Sequence, residues 1–250
     1  MAGKKRRRKS KSAAVYIPIA VLLSFFLMLF GASVFLKIIE IEVIGASKYA
    51  DEEIIKASGI AIGANMLFVD VIEAEQGIYS TLPYINDIKI EYSPPDKMRI
   101  NVSETTALAT IEYLDAVLMI DSTGKILEQI NTEQDELIEI RGFTPASAGL
   151  GSLLKADSGD DTRLSYLKEV LVAIEKEGIQ EGVSYIDVTN ISYISFHYRG
   201  RFTVMLGTPD NIRHKLGSLP EIIADIEKRA PKDEEWTIYM RDQWRWSPDR

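Results

Sequence analysis

The sequence predicts an α+β extracytoplasmic region behind one N-terminal transmembrane helix. Three observations predict this class. Residues 12–36 form an uncharged apolar run, and residues 37–105 have the pattern of a strand, two helices and two further strands. The residues after 105 supply mostly alternating strands with a few helices, which favours an antiparallel β-domain with flanking helices.

The apolar run is long enough to cross a bilayer. A helix of 25 residues rises about 37 Å, and the hydrocarbon core is about 30 Å thick. We predict a helix over residues 13–36, from Ala13 through Phe25 to Leu36. A cleaved signal peptide is the competing interpretation, but its apolar region normally has only about 7 to 15 residues.

The distribution of charged residues predicts the orientation of this helix and argues against nucleic acid as a ligand. Residues 1–36 contain seven basic and no acidic side chains, and residues 1–12 are therefore predicted to be a basic cytoplasmic tail. The whole chain carries a net charge of −8, so the remaining 214 residues carry −15. Nucleic acid is therefore not expected as a ligand, because phosphate binding needs clustered Lys and Arg.

The first predicted domain contains five elements. In chain order they are a strand over residues 39–43, a helix capped by Asp51, a helix over residues 70–80, and strands over residues 85–92 and 98–102. Apolar residues alternate in the strands and recur at helical spacing in the helices. The pattern predicts the order β-α-α-β-β.

The second predicted domain is richer in strands. A hairpin is expected about residues 121–124, a flexible surface loop over residues 150–161, and a helix that carries Leu164 and Leu171 on its apolar face. Further strands are predicted over residues 106–113, 137–140, 184–188, 191–198 and 201–206. A helix over residues 210–229 contains Pro220, which is expected to kink or split it. The last strand is predicted over residues 236–240, and residues 241–250 form a short tail.

The chain lacks the motifs of common catalytic sites. It contains no Walker A sequence, no G-x-S-x-G elbow and no H-E-x-x-H motif. With no cysteine and only His197 and His214, it has no evident zinc ligand set, and Asp157, Asp160 and Asp161 lack the spacing of an EF-hand loop. We therefore predict no enzymatic activity, no metal and no cofactor.

Three segments carry a resemblance to a known family. They are VIGASKYADEEIIKASGI, GANMLFVD and LPYINDIKIEYSPPDKMRINVSE, in this order directly after the apolar run. Together they resemble the polypeptide-transport-associated (POTRA) domain of the FtsQ/DivIB family of bitopic bacterial cell-division proteins. The later phrase LMIDSTGKILE is similar to the same family, although the proline usual after its next short strand is absent at Arg141-Gly142-Phe143.

The resemblance implies a domain organisation and a function. It implies a POTRA-like domain over residues 37–105, a β-domain over residues 106–240 and a tail over residues 241–250. The protein is then expected to be a non-enzymatic scaffold of the cell membrane at the division septum, linking divisome assembly to septal peptidoglycan synthesis. Expected partners are small coiled-coil division proteins of the DivIC/FtsB and FtsL kinds, and the septal peptidoglycan synthase complex is a further one.

The resemblance also implies a binding site on the last strand. A partner segment is expected to extend the sheet there by main-chain hydrogen bonding. The predicted partner-binding residues are Trp236, Ile238, Tyr239, Met240, Arg241 and Trp244. An alternative is that the tail aromatics fold back and cover the sheet. A membrane-anchored sensor that binds a ligand in the β-domain, and less readily a cell-wall enzyme, are the alternative functions.

Overall fold

The computed structural model describes residues 13–132, 134, 136–157, 159–208, 210–229, 234–240 and 245–248, with backbone only at 13–15, 29–30, 32–35 and 245–248. The chain divides into two compact units. The first comprises residues 1–78 and 87–103, and the second comprises residues 79–86 and 104–250. The domain boundaries expected from the sequence stay a prediction.

Helix α1 (Ala13–Phe35) occupies the apolar run and ends one residue before Leu36. Its described apolar side chains are exposed, including Phe25 at 56%. Among the residues that the structure describes, none of the helices combines the length and the hydropathy of a membrane span. The single-span topology therefore stays a prediction.

The first unit has the predicted order of elements. These are β1 (Glu40–Ile44), α2 (Asp51–Ser58), α3 (Val71–Thr81), β2 (Ile85–Ser93) and β3 (Lys97–Glu104). The strands form a sheet in the order β1-β3-β2, in which β1 runs parallel to β3. The order β-α-α-β-β is confirmed, and the last residues of α3 and the first of β2 belong to the second unit.

Residues from every layer of the first unit meet in its core. Ile38, Ile54, Ile78, Met98 and Ile100 are fully buried. Met98 and Ile100 are two positions apart, as expected where one face of a strand is covered. One detail of the prediction is wrong: Asp51 is the first residue of α2, and Ala50 precedes it with its N–H donating to the Glu53 carboxylate at 3.1 Å.

In its described residues, the second unit is built on one nine-stranded sheet. Its strands are β4 (Ala109–Tyr113), β5 (Ala116–Ile120), β6 (Ile126–Ile130), β7 (Ile138–Arg141), β8 (Val183–Asp187), β9 (Ile194–Tyr198), β10 (Phe202–Gly207), β11 (Trp236–Tyr239) and β12 (Arg245–Pro248). They lie in the order β12-β11-β10-β9-β8-β7-β4-β5-β6. Five of the eight neighbouring pairs are antiparallel, and β4/β7, β7/β8 and β10/β11 are parallel. The prediction of a mostly antiparallel β-domain is confirmed.

Two helices complete the core of the second unit. Helices α4 (Asp161–Glu177) and α5 (Ile212–Arg229) contribute buried apolar residues to the same cluster as the strands. Leu216, Leu219 and Ile223 of α5 are almost inaccessible. Helix α5 continues through Pro220, so this proline does not split it. Burial of the apolar stripe outweighs the one backbone hydrogen bond that proline removes.

The predicted flexible loop is anchored at its start. Ile126 donates its N–H to the Ser152 carbonyl at 2.9 Å, and Leu154 donates to the Gly124 carbonyl at 2.7 Å. The Leu154 side chain is 3% exposed and belongs to the core. The prediction of a flexible surface loop is therefore wrong for this part of residues 150–161.

Candidate functional site

The candidate site is centred on β11 and its neighbours in the sheet. On one side β11 pairs in parallel with β10, with Trp236 opposite Phe202 and Ile238 opposite Val204. The N–H of Trp236 donates to the Arg201 carbonyl at 3.0 Å, and the N–H of Met240 donates to the Met205 carbonyl at 2.9 Å. β10 therefore holds both ends of β11.

The side chains of β11 divide between two faces. Trp236, Ile238 and Met240 are 6%, 0% and 2% exposed and lie in the core, whereas Tyr239 is 39% exposed. Successive side chains of a strand point to opposite faces, so this division follows the strand period. Of the predicted partner-binding residues on β11, Tyr239 is the one available to a partner's side chains, and the three others pack inward.

The outer side of β11 is occupied by β12. The two strands are antiparallel, with Thr237 opposite Ser247, Ile238 opposite Trp246 and Tyr239 opposite Arg245. The remaining predicted residues, Arg241 and Trp244, lie outside the described residues. The backbone of residues 245–248 thus lies beside β11 as an edge strand, and the alternative that the tail aromatics cover the sheet stays a prediction.

A cavity of about 520 Å³ lies beside Tyr239 at the carboxyl ends of β10 and β11. Its lining includes Tyr193, Met205 and His214 together with Tyr239 and Met240. The cavity thus joins an exposed tyrosine to apolar and polar groups. Such a surface suits the large side chains that dominate protein–protein contacts.

The N-terminal end of α5 forms one wall of this cavity. Lys215 donates through Nζ to the carbonyls of Leu206 and Thr208, both at 2.8 Å, and the Thr208 hydroxyl donates to the Asp210 carboxylate at 2.5 Å. Lys215 and Asp210 both line the cavity. These bonds tie the end of β10 to α5 and hold the wall in place.

A row of aligned side chains crosses the neighbouring strands. The Arg141 guanidinium lies 3.8 Å from the centre of the Tyr185 ring, which stacks on the His197 ring at 5.5 Å with an interplanar angle of 7°. A hydrogen bond to the Glu139 carboxylate raises the pKa of Arg141. Tyr185 pairs with Glu139 and His197, and His197 pairs with Thr203 of β10. The row therefore forms an ordered polar surface on β7, β8 and β9, and β10 alone lies between it and β11.

The opposite end of the sheet is also covered in part. The outer strand there is β6, and Ile126 exchanges main-chain hydrogen bonds with Gly151 and Ser152. The Glu128 carboxylate accepts a hydrogen bond of 2.7 Å from the Tyr84 hydroxyl. Because the exposed Tyr239 and its cavity lie at β11, the β11 side is the stronger candidate for strand addition.

A second cavity lies between the two helices of the second unit. It is an open groove of about 1020 Å³ with Val172 and Ile212 in its lining. Lys168, Lys176, Glu169 and Glu221 bring both signs of charge to it. Within the described part of the chain, no group of three or more His, Asp or Glu residues is placed to hold a metal.

Several contributors to the site were missed in the sequence. Tyr193, Met205 and Lys215 reach it only because β9, β10 and α5 converge there. The inward direction of Trp236, Ile238 and Met240 could have been found, because the three share one parity in a strand that contains the more polar Thr237 and Tyr239 between them. Pairing of residues 245–248 carries no comparable local signal.

Comparisons with known proteins agree with the fold. The sequence model for the POTRA domain, FtsQ-type, matches residues 36–105. Cell division protein DivIB of Clostridium botulinum (strain Hall) is 28% identical over 230 residues, covering 92% of this chain and 87% of the relative. DivIB of Clostridium acetobutylicum is 26% identical, with 77% of each chain covered. Cell division protein FtsQ of Corynebacterium glutamicum is 23% identical, covering 75% of this chain and 79% of the relative.

The fold and these matches indicate a protein with an FtsQ-type POTRA domain followed by a β-domain. The similarity to the DivIB and FtsQ proteins extends through the β-domain. The chain is similar to the FtsQ/DivIB family of bacterial cell-division proteins over most of its length, which confirms the resemblance found in its sequence.

Proposed function

We propose that this protein is a non-enzymatic scaffold of the divisome that binds partner proteins at β11 and so links divisome assembly to septal peptidoglycan synthesis. The observation that carries the proposal is the outer edge of β11, which lies beside the exposed Tyr239 and its cavity and is paired with the short segment β12. Its partners are small coiled-coil proteins of the DivIC/FtsB and FtsL kinds.

Helix α1 serves as a single membrane anchor, with the N-terminus in the cytoplasm and the C-terminal units outside. The uncharged run of residues 12–36 supports this proposal, because 25 residues in a helix rise about 37 Å and the hydrocarbon core is about 30 Å thick. Confinement of the scaffold and its partners to one septal membrane raises their effective concentration. Contacts that are weak singly then suffice for assembly.

The backbone of β11 suits strand addition. In a parallel pair, alternate residues direct their N–H and C=O groups to the same neighbour. Because Trp236 and Met240 donate to β10, we infer that Thr237 and Tyr239 direct their main-chain groups outward. An incoming strand would bond to these two residues, and Tyr239 would add a side-chain contact.

The segment β12 competes with the partner for this edge. It comprises four residues, and β11 is the neighbour with which it pairs in the described part of the chain. A partner strand would displace β12 and exchange one set of main-chain hydrogen bonds for another. Affinity then depends on the additional contacts at Tyr239 and its cavity.

Co-reconstitution of the full chain with a DivIC/FtsB-like partner in vesicles tests the proposal, with capture measured by affinity pull-down. Thr237→Pro should reduce capture at least about tenfold, because proline removes an outward N–H that the partner needs. Tyr239→Ala should also weaken capture, whereas Tyr92→Ala, a similarly exposed tyrosine of the first unit, should not. Circular dichroism verifies that each variant is folded.

Removal of residues 241–250 separates the two roles of the tail. If β12 only occupies the edge, its loss should increase capture. Reduced capture would assign the tail itself to the interface, and unchanged capture by both Thr237→Pro and Tyr239→Ala would refute strand addition at β11.

A further inference from the structure

Exposed apolar side chains of the first unit are concentrated between residues 39 and 72. Ile39, Ile62, Leu67, Phe68 and Ile72 are 66%, 69%, 62%, 83% and 67% exposed, and together we call them the apolar patch. Between residues 37 and 104, the other large apolar side chains with substantial exposure are Ile44 and Tyr92, at 44% and 46%. Such a concentration of exposed apolar groups marks an interaction surface.

A hydrogen-bonded turn fixes the outward direction of Leu67 and Phe68. A short 3₁₀ turn (Met66–Phe68) follows Asn65, whose side-chain oxygen accepts a hydrogen bond from Leu67 N–H at 2.9 Å. Met66 is 3% exposed and anchors the turn in the core. With Met66 inside, Leu67 and Phe68 are directed outward, so their exposure is a consequence of a fixed turn.

Residues next to the apolar patch are hydrogen-bonded to the residues that directly follow α1. Met66 N–H donates to the Leu36 carbonyl at 2.8 Å, Ile38 N–H donates to the Ala64 carbonyl at 2.9 Å, and Gly63 N–H donates to the Ile38 carbonyl at 2.7 Å. Leu36 directly follows the last residue of α1. Three main-chain bonds therefore hold residues 63–66, which lie between Ile62 and Leu67 of the apolar patch, against residues 36–38 directly after α1.

The chemistry of the surroundings favours the surface of a lipid bilayer as the occupant. The apolar patch lies in the residues that follow α1, whose described apolar side chains are exposed. Tyr92, whose hydroxyl donates a long hydrogen bond to the Val69 carbonyl at 3.5 Å, is suited to the lipid–water boundary. Lys37 is an exposed cation, whereas Asp70 and Glu73 are exposed anions. This mixture of charges favours apolar insertion over attraction to anionic headgroups.

From these observations we propose that the apolar patch inserts into the outer boundary of the membrane that α1 crosses, so that the first unit is seated on the bilayer. This inference rests on the proposed membrane anchor and adds a second, peripheral contact to it. Burial of the five side chains at the headgroup and acyl boundary, a zone about 5–10 Å deep, removes them from water.

The absence of cysteine from the sequence allows a direct test, because one introduced thiol is the sole labelling site. Full-length Phe68→Cys and Ile72→Cys proteins carry a nitroxide label in vesicles of phosphatidylcholine and phosphatidylglycerol. Collision with oxygen, which concentrates in lipid, is compared with collision with a nickel chelate, which stays in water. Ile44→Cys is the matched control, since it lies on β1 about 17 Å along the chain from Ile39.

We expect the oxygen-to-nickel ratio at positions 68 and 72 to exceed that at position 44 several-fold and to approach that of Phe25→Cys in α1. In a Leu67→Ser and Phe68→Ser double variant, the ratio of a label at position 72 should fall toward the position 44 value. Insensitivity to salt should accompany insertion, because the contact is apolar.

The control in α1 separates failure of this inference from failure of the anchor. Lipid-like values at position 25 with water-like values at 68 and 72 would overturn the apolar patch as a lipid contact and leave the anchor intact. Water-like values at position 25 would overturn the anchor. Labels at 68 and 72 that neither reagent reaches would assign the patch to a protein partner or a second copy, which also overturns the lipid contact.

Discussion

The substitution Gly45→Ala tests why the first unit requires glycine after β1. Gly45 has φ +94°, and a Cβ placed on it would lie 2.1 Å from the Val102 carbonyl oxygen. An ordinary carbon–oxygen contact is about 3.3 Å, so β1 and β3 would have to separate by roughly 1 Å at this point. The introduced methyl group therefore strains the pairing of the two strands.

The expected loss has two sources. A positive φ costs an L-residue about 1–2 kcal/mol, and overpacking against a fixed neighbour costs about 1–3 kcal/mol. Their sum lowers the local free energy of unfolding by about 2–5 kcal/mol. Gly59→Ala is the matched control, because Gly59 also has a positive φ, of +67°, but has open space where its Cβ would lie. Its loss should be about 1 kcal/mol.

Hydrogen exchange followed by mass spectrometry measures both variants in the full chain. Amides of β1 and β3 should exchange about 30-fold faster or more in Gly45→Ala, because each 1.4 kcal/mol is a factor of ten. Amides of α2 report the Gly59→Ala change. Equal acceleration by the two substitutions, or a change of less than about threefold in β1 for Gly45→Ala, would refute the steric reasoning.

Three further predictions concern the second unit. Ile238→Ala should lower the free energy of unfolding by about 2–5 kcal/mol and Tyr239→Ala by less than about 1, measured by urea titration; equal losses would contradict their opposite orientations. Asp121→Ala should lower the free energy of unfolding by about 1–3 kcal/mol, measured by thermal and urea unfolding. The Asp121 carboxylate accepts hydrogen bonds from Thr123 N–H, the Thr123 hydroxyl and Lys125 N–H, and alanine accepts none of them. Asp121→Asn should retain much of this stability. Burial lowers the pKa of Lys125 below its ordinary 10.5, with partial opposition from Asp121, so the native state binds fewer protons than the unfolded state in that interval. The free energy of unfolding should thus rise as pH increases from the lowered pKa toward 10.5, and Lys125→Met should flatten this rise; a wild-type stability that falls over the same interval would contradict it.

Local periodicity was sufficient to predict most elements of the fold. The alternation of Met98 and Ile100 in β3 and the helical spacing of Leu164 and Leu171 in α4 are properties of short segments, and burial maintains them in the structure. The pairing of β1 with β3 and the anchoring of residues 151–154 depend on segments far apart in sequence. No window of the sequence contains that information.

The sequence predicted the location of the candidate site more accurately than the direction of its side chains. The resemblance directed attention to the last strand, and β11 does lie near the end of the sheet. The strand period would have separated Tyr239 from the inward-facing Ile238, but the resemblance treated them as one contact set. The cavity beside Tyr239 includes Tyr193 and His214, which come together only through tertiary packing.

The three main-chain hydrogen bonds between residues 36–38 and 63–66 leave almost no free linker between α1 and the first folded unit. A unit on a long flexible chain would tumble and sample many heights above its anchor. Here the unit must turn with the helix. With α1 as the proposed membrane anchor, rotation about the helix axis and lateral diffusion would be the main freedoms of the unit. A partner confined to the same membrane would then meet a surface whose height and tilt vary little, and less orientational entropy would be lost when the two proteins bind.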